Sequence, residues 1–346
     1  MQKNKNIQID GRHGEGGGQI LRTALALSAL QNIPVYINHI RGSRKRPGLR
    51  PQHLAAVTAL ATITGGKVEG NEVGSPELCF EPGEIREGRY CFHIGTAGST
   101  GLVLQAVIPA LLFSKIPSHV MITGGTHAPW SPCFHYLRDV FLPVLKKMGG
   151  DVSIEIDFWG WYPRGGGRIR ASIYKTHGLR ALNLSRRGRL RNLHILSAVS
   201  NLPLAIAERQ LEKSLRRIEY LKLKPAVSIE DAPSPGQGTA LFVAAEFQGS
   251  RAGFTSLGKK RKPAEQVADD ACNELIEFLY TEAALDCHLA DQLVLYMALA
   301  GGRSTVSAER ITEHLLTNIW VIEHFMPVKF FVDKELGTIE VNGIGL

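Results

Sequence analysis

Cysteine is scarce in this chain, and its few positions form no metal-binding or disulfide pattern. The 346 residues include 5 cysteines, too widely scattered to make a Cys-X-X-Cys pair. We therefore interpret them as reduced, mostly buried side chains rather than as a disulfide framework or a zinc site. They are Cys79, Cys91, Cys133, Cys272 and Cys287.

Long apolar runs are also missing from the sequence. No stretch approaches the roughly 20 apolar residues that a helix needs to span a bilayer. Residues 1–6 are polar and basic, and no apolar stretch typical of a secretion signal follows them. We therefore expect a cytoplasmic protein without a membrane partner.

Positive charge is abundant. The chain has 40 lysine and arginine residues against 32 acidic ones, a formal net charge of +8. This excess favours a polyanionic partner such as a nucleic acid or a nucleotide, although many basic proteins bind neither. Apolar residues make up 44% of the chain, an ordinary value for a globular protein whose length suits about two domains.

The sequence repeats itself at a nearly constant spacing. Leu21 aligns with Leu104, and Pro34 with Pro117. In each copy a glycine-rich loop precedes an apolar helix, a proline blocks its continuation, and a β-type segment follows. A second helix then ends at a Gly-Gly pair, and a weaker third copy begins near residue 290. The pattern predicts an α/β fold of repeated β-α-β-α-β units.

Residues 186–279 differ in character from the repeats on either side. They begin with a basic run and contain a helical pattern at 205–220 and an alternating strand at 240–247. We predict that this segment is a small inserted α/β domain, and that residues 1–185 and 280–346 together form the main domain.

A glycine-dense turn follows the first predicted strand, at residues 14–18. Such a turn before a helix brings backbone N–H groups close to an anion. It lacks the lysine of a Walker phosphate loop and does not match Gly-X-Gly-X-X-Gly. Glu15, among the glycines, could hold a divalent cation on nucleotide phosphates, or it could be a solvated acid in a tight turn.

Two further segments are candidates for binding. Residues 40–53 carry several arginines among prolines and glycines, which predicts a basic loop that either contacts phosphate or is simply solvated. Residues 124–132, rich in glycine and proline, lie at a strand end. They could form a rigid pocket wall or only a stiffened loop.

The C-terminal part contains the best candidate nucleophile. Residues 288–292 precede a long apolar helix, and a second apolar helix follows Thr312, a plausible N-cap. This cap would place His314 in the first helical turn, where the helix dipole disfavours imidazolium and leaves the ring a lone pair. A single histidine is more often structural, so these features leave both roles open.

Together these segments resemble the RNA 3′-terminal phosphate cyclases. The similarity rests on residues 14–22, 40–53, 289–295 and 314–319, in that order, and extends over nearly the whole chain. It implies three β-α-β-α-β-β units with an inserted α/β domain. It also implies an ATP-dependent enzyme of the ligase class that converts an RNA 3′-phosphate into a 2′,3′-cyclic phosphate.

The resemblance further implies a mechanism with His314 as the nucleophile. The histidine would take AMP from ATP, and AMP would pass to the RNA 3′-phosphate to give an RNA-pp-A end. The adjacent 2′-hydroxyl would then attack the terminal phosphorus, and AMP would leave. Because this last step is intramolecular, proximity accelerates it strongly.

The resemblance also assigns the surrounding residues. Glu15 and Asp291 would bind Mg²⁺ or Mn²⁺ and the phosphates, and His288 stands where the family usually has a tyrosine against the adenine. Imidazole stacks with less area than a phenol ring. The nucleotide would contact Glu15, Gln105, Pro132, His288, Asp291 and Gln292, and the RNA end Arg22, Arg41, Arg44, Gln52 and His53.

Three other interpretations are open. A related branch of this fold lacks the nucleophilic histidine and acts as a ribosome-assembly or RNA-binding factor without adenylation activity. An enolpyruvyl-transferase-like enzyme would share a repeated α/β architecture, and a simple RNA-binding module would use the basic loops. Formation of a protein–AMP adduct from ATP distinguishes the cyclase from all three.

Overall fold

A computed structural model describes residues 6–346 of the chain, and its first unit is a four-stranded sheet with two helices. In this sheet the order is β1-β2-β4-β3, with β1 and β2 parallel and the other pairs antiparallel. Its elements are β1 (Ile7–Asp10), α1 (Gly18–Gln31), β2 (Val35–Asn38), α2 (Pro51–Thr64), β3 (Lys67–Glu69) and β4 (Leu78–Glu81).

The second unit follows the same plan, with the sheet order β5-β6-β8-β7 and again one parallel pair, β5 with β6. Its second helical segment is interrupted by one π-helical stretch, Leu137–Phe141. The elements are β5 (Arg89–His93), α3 (Thr100–Leu112), β6 (Ser118–Gly124), α4 (Phe134–Tyr136), α5 (Leu142–Lys147), β7 (Val152–Phe158) and β8 (Gly167–Ile173).

A two-residue strand, β9 (Asn183–Leu184), precedes a sheet of a different order, β11-β10-β12-β13. Two helices cover this sheet, and their apolar faces form a core cluster separate from the main one. This arrangement supports the proposal that residues 186–279 are an inserted domain. The elements are β10 (Leu190–Ser200), α6 (Ala205–Ile218), β11 (Ala226–Asp231), β12 (Gly238–Phe247), β13 (Arg251–Leu257) and α7 (Ala264–Tyr280).

The last part of the chain forms the third sheet outside residues 186–279. This sheet includes β9, which precedes the inserted segment. Its order is β15-β16-β14-β9, with β9 and β14 parallel. The elements are α8 (Cys287–Leu299), β14 (Gly301–Ser307), α9 (Glu313–Phe325), β15 (Phe330–Asp333) and β16 (Thr338–Ile344). The α/β prediction is confirmed. The three sheets outside residues 186–279 share one strand order, which supports our interpretation of three repeats.

Helices from all three units pack together and form the main core. Helix α1 packs against α2, α3 and α9, and α8 packs against α9. Nearly every apolar side chain of α1 and α3 is buried, as their sequences predict. In residues 6–346, no helix is both long enough and apolar enough to cross a membrane.

Several local predictions are confirmed and one is wrong. Gly65 ends α2 with φ of 63°, the left-handed conformation expected at this C-cap. The basic segment 40–53, by contrast, is not a loop throughout, because α2 begins at Pro51. Proline suits a first helical position, where its missing N–H has no partner to lose. Gln52 and His53 therefore lie in the first turn of a helix.

Candidate active site

His314 lies at the start of α9, as predicted. The Thr312 hydroxyl caps this helix by accepting a hydrogen bond from the backbone N–H of Leu315 at 2.9 Å. The half-buried imidazole of His314 has its Nε2 atom 2.9 Å from Oε2 of Glu15. This pair joins two segments that are far apart in the sequence.

The surroundings of His314 favour its neutral form. Burial lowers its pKa below the ordinary value, and the charges of Arg22 and Arg44 lower it further, while the carboxylate of Glu15 opposes the shift. The direction agrees with our expectation for this helix start, and burial is the largest cause of the shift. A neutral imidazole at neutral pH retains the lone pair that a nucleophile needs.

The glycine-rich turn holds Glu15 against helix α9, which carries His314. Gly14 has φ of +55°, and a Cβ atom there would lie 2.3 Å from Oγ1 of Thr317 in α9. At Gly18, in the first turn of α1, a Cβ atom would lie 2.3 Å from Nε2 of His53, so the turn also packs closely on α2. The left-handed backbone of Gly14 favours glycine there in addition to the close contact.

Asp291, in α8, is joined to the same helix start. Its Oδ1 accepts a hydrogen bond from the Thr312 hydroxyl at 2.6 Å. Burial, with smaller contributions from the charges of Asp286 and Glu15, raises the pKa of Asp291 to about 7. A nearby cation would stabilise the ionised form of this buried carboxyl group.

Two amide side chains connect the remaining helices. Gln105 of α3 donates to the side-chain carbonyl of Gln292 in α8 at 2.7 Å. The side-chain carbonyl of Gln52, in α2, accepts from the backbone N–H of Ser99, the N-cap of α3, at 3.1 Å. These bonds bring the N-terminal halves of α2, α3 and α8 towards one region.

The predicted RNA-end residues occupy different environments. His53 is buried, and burial followed by the charge of Arg22 lowers its pKa to about 3. Arg22 is partly buried, which lowers its pKa to about 10. Arg41 donates to two carbonyls of its own loop, whereas Arg44 is exposed and binds Oε2 of Glu15 at 2.8 Å. Only Arg44 of this set contacts Glu15 directly.

A buried polar pair that sequence analysis missed lies beside His288. The Tyr136 hydroxyl donates to Asp286 at 2.7 Å, and Asp286 caps α8 by accepting from the N–H groups of His288 and Leu289. The exposed His288 ring meets Tyr136 edge-on, with 6.4 Å between centroids. An aspartate directly before an apolar helix is the signal that could have identified this cap.

The arrangement surrounds a region where α1, α2, α3, α8 and α9 begin. Helix starts present unpaired N–H groups and the positive end of the helix dipole, so several of them together favour a polyphosphate. Among residues 6–346, no three or more histidine, cysteine, aspartate or glutamate side chains cluster as a ready-made metal site. Any cation would thus need ligands from a substrate as well.

The chain is similar to known proteins over nearly its whole length. The sequence profile described as RNA 3′-terminal phosphate cyclase matches residues 13–332. The chain belongs to the RNA 3′-terminal phosphate cyclase family. Curated cyclases of this name from Pyrobaculum aerophilum and Staphylothermus marinus are 43% and 45% identical, each over 98% of this chain and 99% of the relative. A curated cyclase of the same name from Nostoc punctiforme is 41% identical, again over 98% of this chain and 99% of the relative.

A solved structure of EPSP synthase from Acinetobacter baumannii is also similar to this chain. It covers 99% of this chain and 83% of its own length, at 14% identity and a TM-score of 0.30. Values this low support no argument about the fold or activity of this cyclase family member.

Proposed function

We propose that this protein is an RNA 3′-terminal phosphate cyclase that uses ATP and a histidine–AMP intermediate. The observation that carries the proposal is the neutral, half-buried imidazole of His314 beside Glu15. This pair lies where the N-terminal ends of α1 and α9 meet. Family membership and the names of relatives that are 41% to 45% identical support the same activity.

In the first step, a nitrogen of the His314 ring attacks the α-phosphorus of ATP. An N–P bond forms, the bond to the bridging oxygen breaks, and pyrophosphate leaves. The Thr312 cap and the packing of Gly14 on α9 fix the ring's helix relative to the glycine turn. The ring must enter this step unprotonated, which the lowered pKa of His314 favours.

In the second and third steps, the RNA end accepts and then releases AMP. An oxygen of the RNA 3′-phosphate attacks the adenylate, and the N–P bond to His314 breaks. The neighbouring 2′-hydroxyl then attacks the terminal phosphorus, and AMP leaves with the electrons of the P–O bond. We propose that Arg22, Arg41, Arg44, Gln52 and His53 hold the RNA end. Arg44 is the exposed guanidinium of this set.

The residues present fit a divalent cation, Mg²⁺ or Mn²⁺, bound with the ATP phosphates. Magnesium sites typically use one or two carboxylates together with phosphate and water oxygens. Glu15 and Asp291 would provide such a pair, and the pKa of Asp291, which burial raises to about 7, would fall if a cation bound beside it. The cation would neutralise phosphate charge. A cation at Glu15 would compete with its contacts to Arg44 and His314.

We propose that the nucleotide lies between Pro132 and His288, with Gln105 and Gln292 at its side. Tyr136 connects the two walls, because it follows Pro132 in the chain and touches His288. The imidazole of His288 is exposed and available for stacking. A smaller ring there would relax the preference for adenine over guanine relative to a tyrosine.

The decisive experiment is adduct formation with α-labelled ATP and magnesium. The unaltered protein should form an acid-labile, alkali-stable AMP adduct, and His314→Ala should form none. His324→Ala is the matched control, since His324 is an exposed histidine near the end of the same helix. The fold of each variant is checked by circular dichroism.

A second assay tests cyclisation. A 3′-phosphorylated oligoribonucleotide incubated with protein, ATP and magnesium should become resistant to phosphatase. Full adduct formation by His314→Ala would show that another residue is the nucleophile. Absence of any adduct from the unaltered protein, with RNA binding intact, would instead identify a ribosome-assembly or RNA-binding factor.

A further inference from the structure

One loop of the second unit holds a fully exposed tryptophan. Trp130 is 97% exposed and has φ of +59°, a left-handed conformation that is unusual for a bulky residue. Its loop is nevertheless pinned: the N–H of Phe134 donates to Thr126 at 3.1 Å, and the Ser131 hydroxyl donates to Ala128 at 3.0 Å. The indole therefore projects from an ordered loop without packing on the protein.

A neighbouring loop presents a second aromatic side chain and a cation. The carbonyl of Gly160 accepts from the N–H groups of Thr126 and His127, at 2.9 and 3.1 Å, so the two loops are bonded together. This second loop carries Tyr162, which is 64% exposed, and the exposed Arg164. No carboxylate in residues 6–346 forms a salt bridge with Arg164.

Tyr162 and Arg164 line a cleft of about 610 Å³ between the main and inserted parts of the chain. The opposite wall is the Pro/Gly loop at 234–237. An adjoining cleft of about 750 Å³ has Asp231 in its lining and no arginine or lysine. A phosphodiester would therefore prefer the cleft with Arg164, since guanidinium pairs with phosphate while carboxylate repels it.

The Trp130 loop also continues into the candidate active site. The carbonyl of Pro132, two residues further on, lies 3.2 Å from the point where a Cβ of Gly101 would stand, in the first turn of α3. The same helix carries Gln105, which is bonded to Gln292. The Trp130 loop is thus joined on one side to α3 and on the other to the loop that carries Tyr162 and Arg164.

We propose that Trp130, Tyr162 and Arg164 bind the unpaired nucleotides that precede the 3′ end of an RNA substrate. Bases would stack on the two aromatic rings, and a backbone phosphate would pair with the guanidinium. Such stacking tolerates any base, because every base has a flat π-face. The inference rests on the proposed RNA activity, and it adds a preference for single-stranded ends several nucleotides long.

The test compares a 3′-phosphorylated oligoribonucleotide of about ten nucleotides with a 3′-phosphorylated dinucleotide. We expect Trp130→Ala to raise the KM for the longer RNA about tenfold and leave kcat nearly unchanged, because stacking contributes to binding only. Tyr162→Ala and Arg164→Ala should have smaller effects in the same direction. Trp130→Phe should restore most of the affinity, since it keeps a stacking face.

Tyr280→Ala is the matched control, because Tyr280 is 85% exposed at the end of α7 and lies outside both loops. It should behave like the unaltered protein. The dinucleotide should be used equally well by every variant, and adduct formation without RNA should be unchanged. Fluorescence anisotropy with the labelled longer RNA gives the same comparison without turnover.

Equal affinity of Trp130→Ala and the unaltered protein for the longer RNA would overturn the inference. That result would favour a protein as the binding partner of this surface. Loss of the AMP adduct in Trp130→Ala would also overturn it, by showing that the loop serves nucleotide binding or folding. Failure of the proposed function is a separate result, namely no adduct from the unaltered protein.

Discussion

Replacing Thr312 by valine removes one hydroxyl group that serves two partners. This hydroxyl accepts from the N–H of Leu315 and donates to the carboxyl group of Asp291. Loss of an N-cap costs about 1 kcal/mol, and loss of a side-chain hydrogen bond about 1 to 2 kcal/mol. Valine has nearly the same shape as threonine, so we expect the free energy of unfolding to fall by about 2 to 3 kcal/mol.

The same change should alter the chemistry of the site. The hydrogen bond from Thr312 lowers the pKa of Asp291, which already lies at about 7. Without it the pKa rises, and the ionised carboxylate forms only at higher pH. About 1.4 kcal/mol of lost interaction corresponds to one pKa unit. We therefore expect the acidic limb of the pH profile for adduct formation to move up by about one unit.

Two measurements check this reasoning: chemical denaturation for stability, and the initial rate of AMP adduct formation across pH. Thr312→Ser is the control, since serine keeps the hydroxyl and also caps helices well. The serine variant should remain within about 1 kcal/mol of the unaltered protein. Serine and valine variants with equal stability and equal pH profiles would refute the assigned role of the hydroxyl.

Three further predictions concern other parts of the molecule. Arg44→Ala should raise the KM for RNA about tenfold and reduce adduct formation less than threefold, with Lys45→Ala as control; equal losses would contradict the RNA-end role. His127 and His135 are buried, and burial lowers the pKa of His127 to about 3 and that of His135 below its usual range. Below about pH 6.5 the unfolded chain therefore binds more protons than the folded protein. The free energy of unfolding should decrease as the pH is lowered, by up to about 2.7 kcal/mol per pH unit from these two histidines. A midpoint of denaturation that is constant between pH 6.5 and 5 would exclude this. Arg187→Met should lower the free energy of unfolding by about 3 kcal/mol, because the buried guanidinium donates to three backbone carbonyls at and just beyond the C-terminal end of α7. A change below about 1 kcal/mol, measured by urea denaturation, would contradict that role.

Local features of the fold were predictable because short-range physics determines them. Thr312 precedes an apolar stripe and caps α9, and Gly65, the first glycine of a Gly-Gly pair, ends α2 as expected. The segment at 51–53 was predicted wrongly because the surrounding prolines and glycines masked a favourable proline at the first helical position. The local sequence pattern could not distinguish a loop from the start of a helix at these residues.

Contacts between distant segments were not predictable from the residues alone. The resemblance to the cyclase family suggested that Glu15 and His314 share a site, but their direct contact and the link from Thr312 to Asp291 required the packing of α1, α8 and α9. Nor does any local signal in Asn183 indicate that it pairs with a strand beyond the inserted segment. Long-range pairing depends on the whole arrangement of helices and sheets.

The pairing of β9 with β14 determines when the site can form during synthesis. These strands flank the inserted segment, so the third sheet cannot close until that segment has emerged from the ribosome. Glu15 is synthesised well before His314, so this pair cannot form until α9 has been made. A polypeptide that lacked α9 would contain the glycine-rich turn and Glu15 but not His314, the residue that we propose as the nucleophile.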